Sequence, residues 1–234
     1  QTKLRIINKY RPVYIYILFI NIALWIFTEI ILGGTTRTLV SFGANYGPYV
    51  KDGDTWRLIT SIFLHGGISH LIFNSIALLA FGNLVEQIFG KRNFLIIYFC
   101  SGISGSALSV TFNSNVVSVG SSGAIFGMLG GLIVYYFYVR KINSIYAKGN
   151  LYGLGFMLLL NLFWGLSSPR IDNWAHLGGL IGGGFSSYIL INFNLSTIFS
   201  SNRFFSNLNN FNKRIFAFLC FFIWSCIIIL LINS

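Results

Sequence analysis

Seven stretches of this chain, at about residues 13-32, 71-89, 93-112, 122-139, 150-167, 174-191 and 215-232, are long and apolar enough to cross a bilayer as helices. With 55% of its 234 residues hydrophobic, 9% charged and a mean hydropathy of +0.72, a soluble domain of this length could not hide its apolar surface. Backbone groups in lipid have no water to bond, so only helices or a closed barrel can span it. The alternating ten-residue segments of an outer-membrane barrel are missing. The expected fold class is therefore all-α and polytopic.

The net charge of +11 raises the question of nucleic acid, and the placement of the cations answers it. If the N-terminus is cytoplasmic, Lys3, Arg5, Lys9, Arg11, Lys91, Arg92, Arg140, Lys141, Lys148, Arg203, Lys213 and Arg214 lie inside. Arg37, Lys51, Arg57 and Arg170 lie outside. That asymmetry is the positive-inside pattern of a multi-pass membrane protein. It records topology and attraction to anionic lipid, and no nucleic-acid partner is expected.

This orientation makes the second, fourth and sixth spans run from outside to inside, so their first turns share one depth. His70 opens the second, Ser122 the fourth and His176 the sixth. Ionisable groups inside a membrane are costly, which makes them functional candidates. Gly123, Gly127 and Gly131 repeat every fourth residue on the fourth span. Gly178 with Gly182, and Gly179 with Gly183, do so on the sixth. Such small-residue faces let helix backbones approach closely, and a fourth-to-sixth contact would carry Ser122 towards His176.

Those residue types suit acyl transfer. A serine hydroxyl becomes a useful nucleophile when a base within hydrogen-bond reach takes its proton, and His176 can be that base. His70 and Asn74, four apart on one helical face, can point donors at a developing oxyanion. The free amides at the start of the fourth helix, Ser122 N-H among them, favour the same charge. Phe126, one turn on, can stack on the imidazole. The five carboxylates are Glu29, Asp52, Asp54, Glu86 and Asp172, and none is well placed as a third triad member. Asp172 precedes His176 by four residues, and it reads better as a solvated loop acid than as an orienting group.

Taken together, the strings Gly120-Ser121-Ser122-Gly123, Ala175-His176 with Gly179 and Gly183, and His70 with Asn74 resemble the rhomboid intramembrane serine proteases over about residues 13 to 191. They look like that family's GxSG, AHxxGxxxG and HxxxN motifs, with Ser122 rather than Ser121 as nucleophile. Trp56-Arg57 is similar to the family's WR pair in the first extracellular loop, a structural element, and Glu86 is similar to its second-helix glutamate. The resemblance implies a six-helix bundle with a water-filled cavity, and hydrolysis of peptide bonds in or beside a substrate's transmembrane segment. It implies single-pass membrane proteins as substrates and no cofactor.

The expected organisation is a cytoplasmic tail (1-12), a six-helix core (13-191), a linker (192-213) and one extra C-terminal membrane helix (214-234). That layout favours a bacterial cell membrane, with a eukaryotic secretory-pathway membrane as second choice. Thr55 to Leu64 is expected as a short helix in the outer interface. His65 is expected to cap or pack within the first loop, because three histidines without an HExxH pattern make a poor zinc site. Cys100, Cys220 and Cys226 lie in apolar spans and read as small hydrophobes. Glu29 reads as an acid snorkelling to the outer interface. A transporter would be expected to show inverted repeats, which are not visible here, and a catalytically inert relative would lack Ser122 or His176.

Overall fold

A computed structural model of the chain describes residues 12-168 and 171-198, with side chains to residue 191. The expected tail, the linker beyond residue 198, the seventh span with Cys220 and Cys226, and Pro169 and Arg170 lie outside the described residues. Five helices within them are long and apolar enough to cross a membrane: α1 (Val13–Ile31), α5 (Ile68–Phe89), α6 (Lys91–Phe112), α7 (Ser122–Val139) and α8 (Ser144–Ser167). Between α1 and α5 the first loop folds three short helices, α2 (Thr36–Ser41), α3 (Gly47–Lys51) and α4 (Arg57–Thr60). The last described helix, α9 (Asn173–Ile198), continues past residue 191. It is long enough to span but is not among the five apolar ones, because its packing surface is made of glycine and serine.

Helix α1 begins immediately after Pro12, so its first amides have no acceptor one turn back. Glu86 of α5, which is buried, supplies one: its Oε2 accepts from Val13 N at 2.7 Å and Tyr14 N at 3.1 Å. A carboxylate at a helix N-terminus also meets the positive end of the dipole. At its far end α1 loosens into a π-helical turn, Ile26–Ile31, beside Thr28 Oγ1, which donates back to Leu24 O at 2.9 Å. Glu29 leaves this turn and accepts from Gly67 N at 3.3 Å, tying α1 to the chain just before α5.

The first loop is held by one buried cation. Arg57 pairs with Asp54 at 3.0 Å, donates to Val40 O at 2.6 Å and Ala44 O at 3.3 Å, and lies against the rings of Tyr49 and Trp56. Its planar fork of donors can serve several acceptors at once, which a lysine could not. The segment expected as one helix over 55-64 is instead α4 followed by a 3-10 turn, Ser61–Phe63. Leu58, Ile62 and Leu64 turn into the protein, so this segment is anchored inward as well as outward.

Helix α9 is clasped between α6 and α7, its two most extensive neighbours. The two glycine pairs read from the sequence serve different partners. Gly179 and Gly183 lie on the backbone of Gly123 and Gly127 in α7. Gly178 and Gly182 face α6 at Ser104 and Gly105. A Cβ on Gly179 would collide with the Gly123 carbonyl oxygen, and one on Gly183 with that of Gly127. Backbone cannot rotate out of the way as a side chain can, so this seam admits only glycine. Helix α8, by contrast, is bordered mainly by α7 and leaves most of its length exposed.

Candidate active site

The loop that delivers Ser122 is stitched to the first loop before α7 begins. Asn45 and Ser118 exchange backbone hydrogen bonds at 3.0 and 2.8 Å, and Asn45 Nδ2 donates to Ser106 O at 2.9 Å. Gly47 N donates to Ser114 O at 3.0 Å, and Gly120 N donates to Ser61 O at 2.9 Å. These bonds fix Gly120 with φ at +122°, a conformation side-chain-bearing residues rarely adopt. His70 fills the space that a side chain there would need: a Cβ on Gly120 would lie 2.6 Å from its Cε1 and 2.7 Å from its Nε2. Gly120 is thus required twice, for its backbone angle and for the imidazole against it.

Asn74 sits one turn beyond His70 on α5. It is buried, its Nδ2 has no hydrogen-bond partner among the described residues, and that nitrogen lies 3.5 Å from the same Cβ position of Gly120. A buried donor left unpaired costs stability, and such orphans gather where a ligand or intermediate completes them.

Ser121 caps α7, its carbonyl accepting from Ile125 N at 2.9 Å, and Ser122 is the first helical residue. Phe126 follows Ser122 by four residues and so shares its face. The Phe126 ring stacks on the His176 imidazole, centroids 4.0 Å apart and planes within 10°. Gly123 lies against the backbone of Ala175, a Cβ there standing 3.2 Å from the Ala175 carbonyl oxygen. The residue after Ser122 therefore packs on the residue before His176. Ser122, His70 and His176 are half-buried.

Two groups of the expected residues are brought together: His70 and Asn74 lie against Gly120, while Phe126 stacks on His176 and Gly123 packs on Ala175, with Gly179 and Gly183 setting the helix spacing. Trp56 and Arg57 brace the first loop, and Glu86 caps α1 at the other end of α5. Two placements differ from expectation. Asp172 is not a solvated loop acid. Its Oδ1 accepts from Ala175 N at 3.0 Å, capping α9, and its Oδ2 is buried. His65 is fully buried and packs within the first loop as expected, Nδ1 lying 3.2 Å from Phe63 O, but it also reaches beyond that loop: Nε2 lies 3.5 Å from Ser121 Oγ, and its ring lies 5.2 Å from that of His70. Burial first, and then the charge of His70, push the His65 imidazole down to about 3, so it is neutral at physiological pH. With Nδ1-H donating to Phe63 O, Nε2 is left to accept from Ser121.

Sequence reasoning did not find the Ser121–His65 contact, nor Asn45 and Ser61. The only available signal for the first was that neighbouring helix residues point about 100° apart, so Ser121 had to face something other than what Ser122 faces. Among the described residues no three His, Cys, Asp or Glu side chains gather into a metal-binding group.

An all-helical, multi-pass membrane protein that gathers a serine, histidines and an orphaned asparagine at one end of its bundle belongs to a narrow class. The chain is a member of the rhomboid family: the family model for the Rhomboid domain matches residues 52–193. It is 39% identical over 192 residues to Rhomboid protease GluP of Bacillus subtilis (strain 168), covering 81% of this chain and 37% of that protein. It is 36% identical over 186 residues to Putative rhomboid protease YdcA of the same organism, covering 77% of this chain and 89% of that protein. It is 37% identical over 170 residues to RHOMBOID-like protein 5 of Arabidopsis thaliana, covering 70% of this chain and 53% of that protein. The chain thus spans from about a third to about half the length of several curated relatives it matches.

Proposed function

We propose that the chain is a serine endopeptidase that cleaves within or beside transmembrane segments of membrane proteins. Ser122 Oγ attacks the scissile carbonyl while His176 takes its proton. His70, Asn74 and Ser122 N-H hold the resulting oxyanion. The tetrahedral intermediate collapses to an ester on Ser122 as His176 returns the proton to the leaving amine, and water then releases the acyl group by the same route in reverse.

The observation that carries this reading is the Phe126–His176 stack, which holds the imidazole one helical turn along the face that Ser122 opens. The unpartnered Asn74 amide beside Gly120 supports the oxyanion assignment. Two relatives are named as rhomboid proteases, which favours activity over a purely binding role. The substrates are single-pass proteins whose helix is locally unstable with a small residue at the cleavage point. The N-terminus faces the cytoplasm of a bacterial cell.

The Ser121–His65 contact gives a second serine a histidine neighbour. Both residues are completely shielded from solvent, so no substrate carbonyl reaches them, and the half-open pair is the better nucleophile and base. A fluorophosphonate probe in detergent or bilayers tests the choice. Wild type and Ser121→Ala label; Ser122→Ala and His176→Ala do not. Labelling that survives Ser122→Ala and vanishes in Ser121→Ala overturns the assignment.

A further inference from the structure

The turn that starts α9 is fixed at three consecutive residues, each by a different partner. Asp172 Oδ1 accepts from Ala175 N at 3.0 Å within its own helix. Asn173 Nδ2 donates to Gly165 O of α8 at 3.0 Å. Trp174 stacks on Phe112 at the end of α6, centroids 4.3 Å apart and planes within 20°. A helix cap needs one carboxylate oxygen, and an asparagine or serine does it about as well. What the cap leaves over is the negative charge and the second oxygen. Asp172 Oδ2 is buried and has no hydrogen-bond partner among the described residues. His176 follows one turn later, its amide bonded to Asp172 O at 3.1 Å, and residues four apart share one face of a helix.

We propose that Asp172 is a positioning residue for the dyad: the capped, braced carboxylate holds a fixed negative charge one helical turn before His176, where it offsets the positive charge the imidazole acquires on taking the Ser122 proton. The inference rests on the dyad reading above. A charge that matters only once the imidazolium forms acts on the transition state and not on substrate binding, so it shows in kcat with KM unchanged. The carboxylate exchanges no proton itself; the proton passes from Ser122 Oγ to His176 and on to the leaving amine.

The test separates cap from charge. Asp172→Asn retains an oxygen for Ala175 N and removes the charge, while Asp172→Ala removes both. Cleavage of a transmembrane substrate in bilayers is measured beside the melting temperature in detergent. The inference expects Asp172→Asn to melt with wild type and to lose kcat on the order of tenfold at unchanged KM, and Asp172→Glu to recover part of it. Wild-type kcat in Asp172→Asn overturns it, as does a kcat loss that only accompanies a fall in melting temperature. If His176→Ala cleaves normally, the dyad reading itself fails. If His176→Ala is inactive while Asp172→Asn is normal, only this inference falls.

Discussion

Ser121 and Ser122 are chain neighbours with opposite surroundings. Ser121 faces the wall: its hydroxyl meets His65, and both are sealed, His65 being locked to Phe63 O as well. Ser122 is half-buried: it shares a helical face with Phe126, whose ring stacks on His176, and it follows Gly120, beside which Asn74 Nδ2 has no hydrogen-bond partner among the described residues. Ser121 and His65 have hydrogen-bond partners, whereas Asn74 Nδ2 has none among the described residues. Satisfied polar groups hold a structure still, whereas an unsatisfied one waits for a partner that arrives with the reaction.

Experiments that break this contrast differ greatly in size. Ser122→Ala should lower cleavage of a transmembrane substrate by at least about 10³-fold with little change in melting temperature, as expected when a nucleophile is lost. Asn74→Ala should slow turnover by between about tenfold and about a thousandfold, the scale for one oxyanion donor. Its effect on melting temperature should be small, since Asn74 Nδ2 has no hydrogen-bond partner among the described residues to lose.

On the wall side the effects reverse. Ser121→Ala should cost stability of about 1 kcal/mol or less, because its hydrogen bond is long, and should leave most activity intact. Equal losses of activity from the two serine variants would erase the distinction.

A further test on the wall side concerns His65 and pH. Its folded value near 3 lies below the ordinary 6.5, so between those values the unfolded chain binds a proton that the folded one refuses. Stability from this group is full above about pH 6.5 and falls as pH drops towards 3. His65→Gln should remove that component, so the melting temperatures of wild type and variant should converge on acidification from pH 7. Parallel melting curves across that range would show that His65 is not the neutral wall residue described here.

Much of the bundle was legible because a membrane helix announces itself by length and apolarity. The α6 and α7 boundaries fell within a few residues of expectation. Helix α8 began earlier than hydropathy indicated, at Ser144, because Lys148 and Asn150 dilute the average while Asn143, whose side chain accepts from Tyr146 N at 3.1 Å, is a true N-cap. The same kind of signal was passed over at Asp172, where an acid three residues before Ala175 marks a helix start more than a solvated loop. Motif and shared depth point to Ser122, His176, His70 and Asn74, and to these the structure adds the Phe126–His176 stack and the His70–Gly120 contact. The Ser121–His65 contact and the stitching by Asn45 and Ser61 join segments far apart in sequence through single hydrogen bonds, and no periodicity records those.

The glycine seam between α7 and α9 has a mechanical consequence. Because carbonyl oxygens of one helix rest on the α-carbons of the other, the separation of the two axes is fixed by main-chain thickness and not by the rotamers of intervening side chains. In the proposed dyad, whose two members ride on these helices, the spacing is then gauged like that between two rods pressed together without a spacer. Thermal jitter of surrounding side chains has little purchase on that spacing.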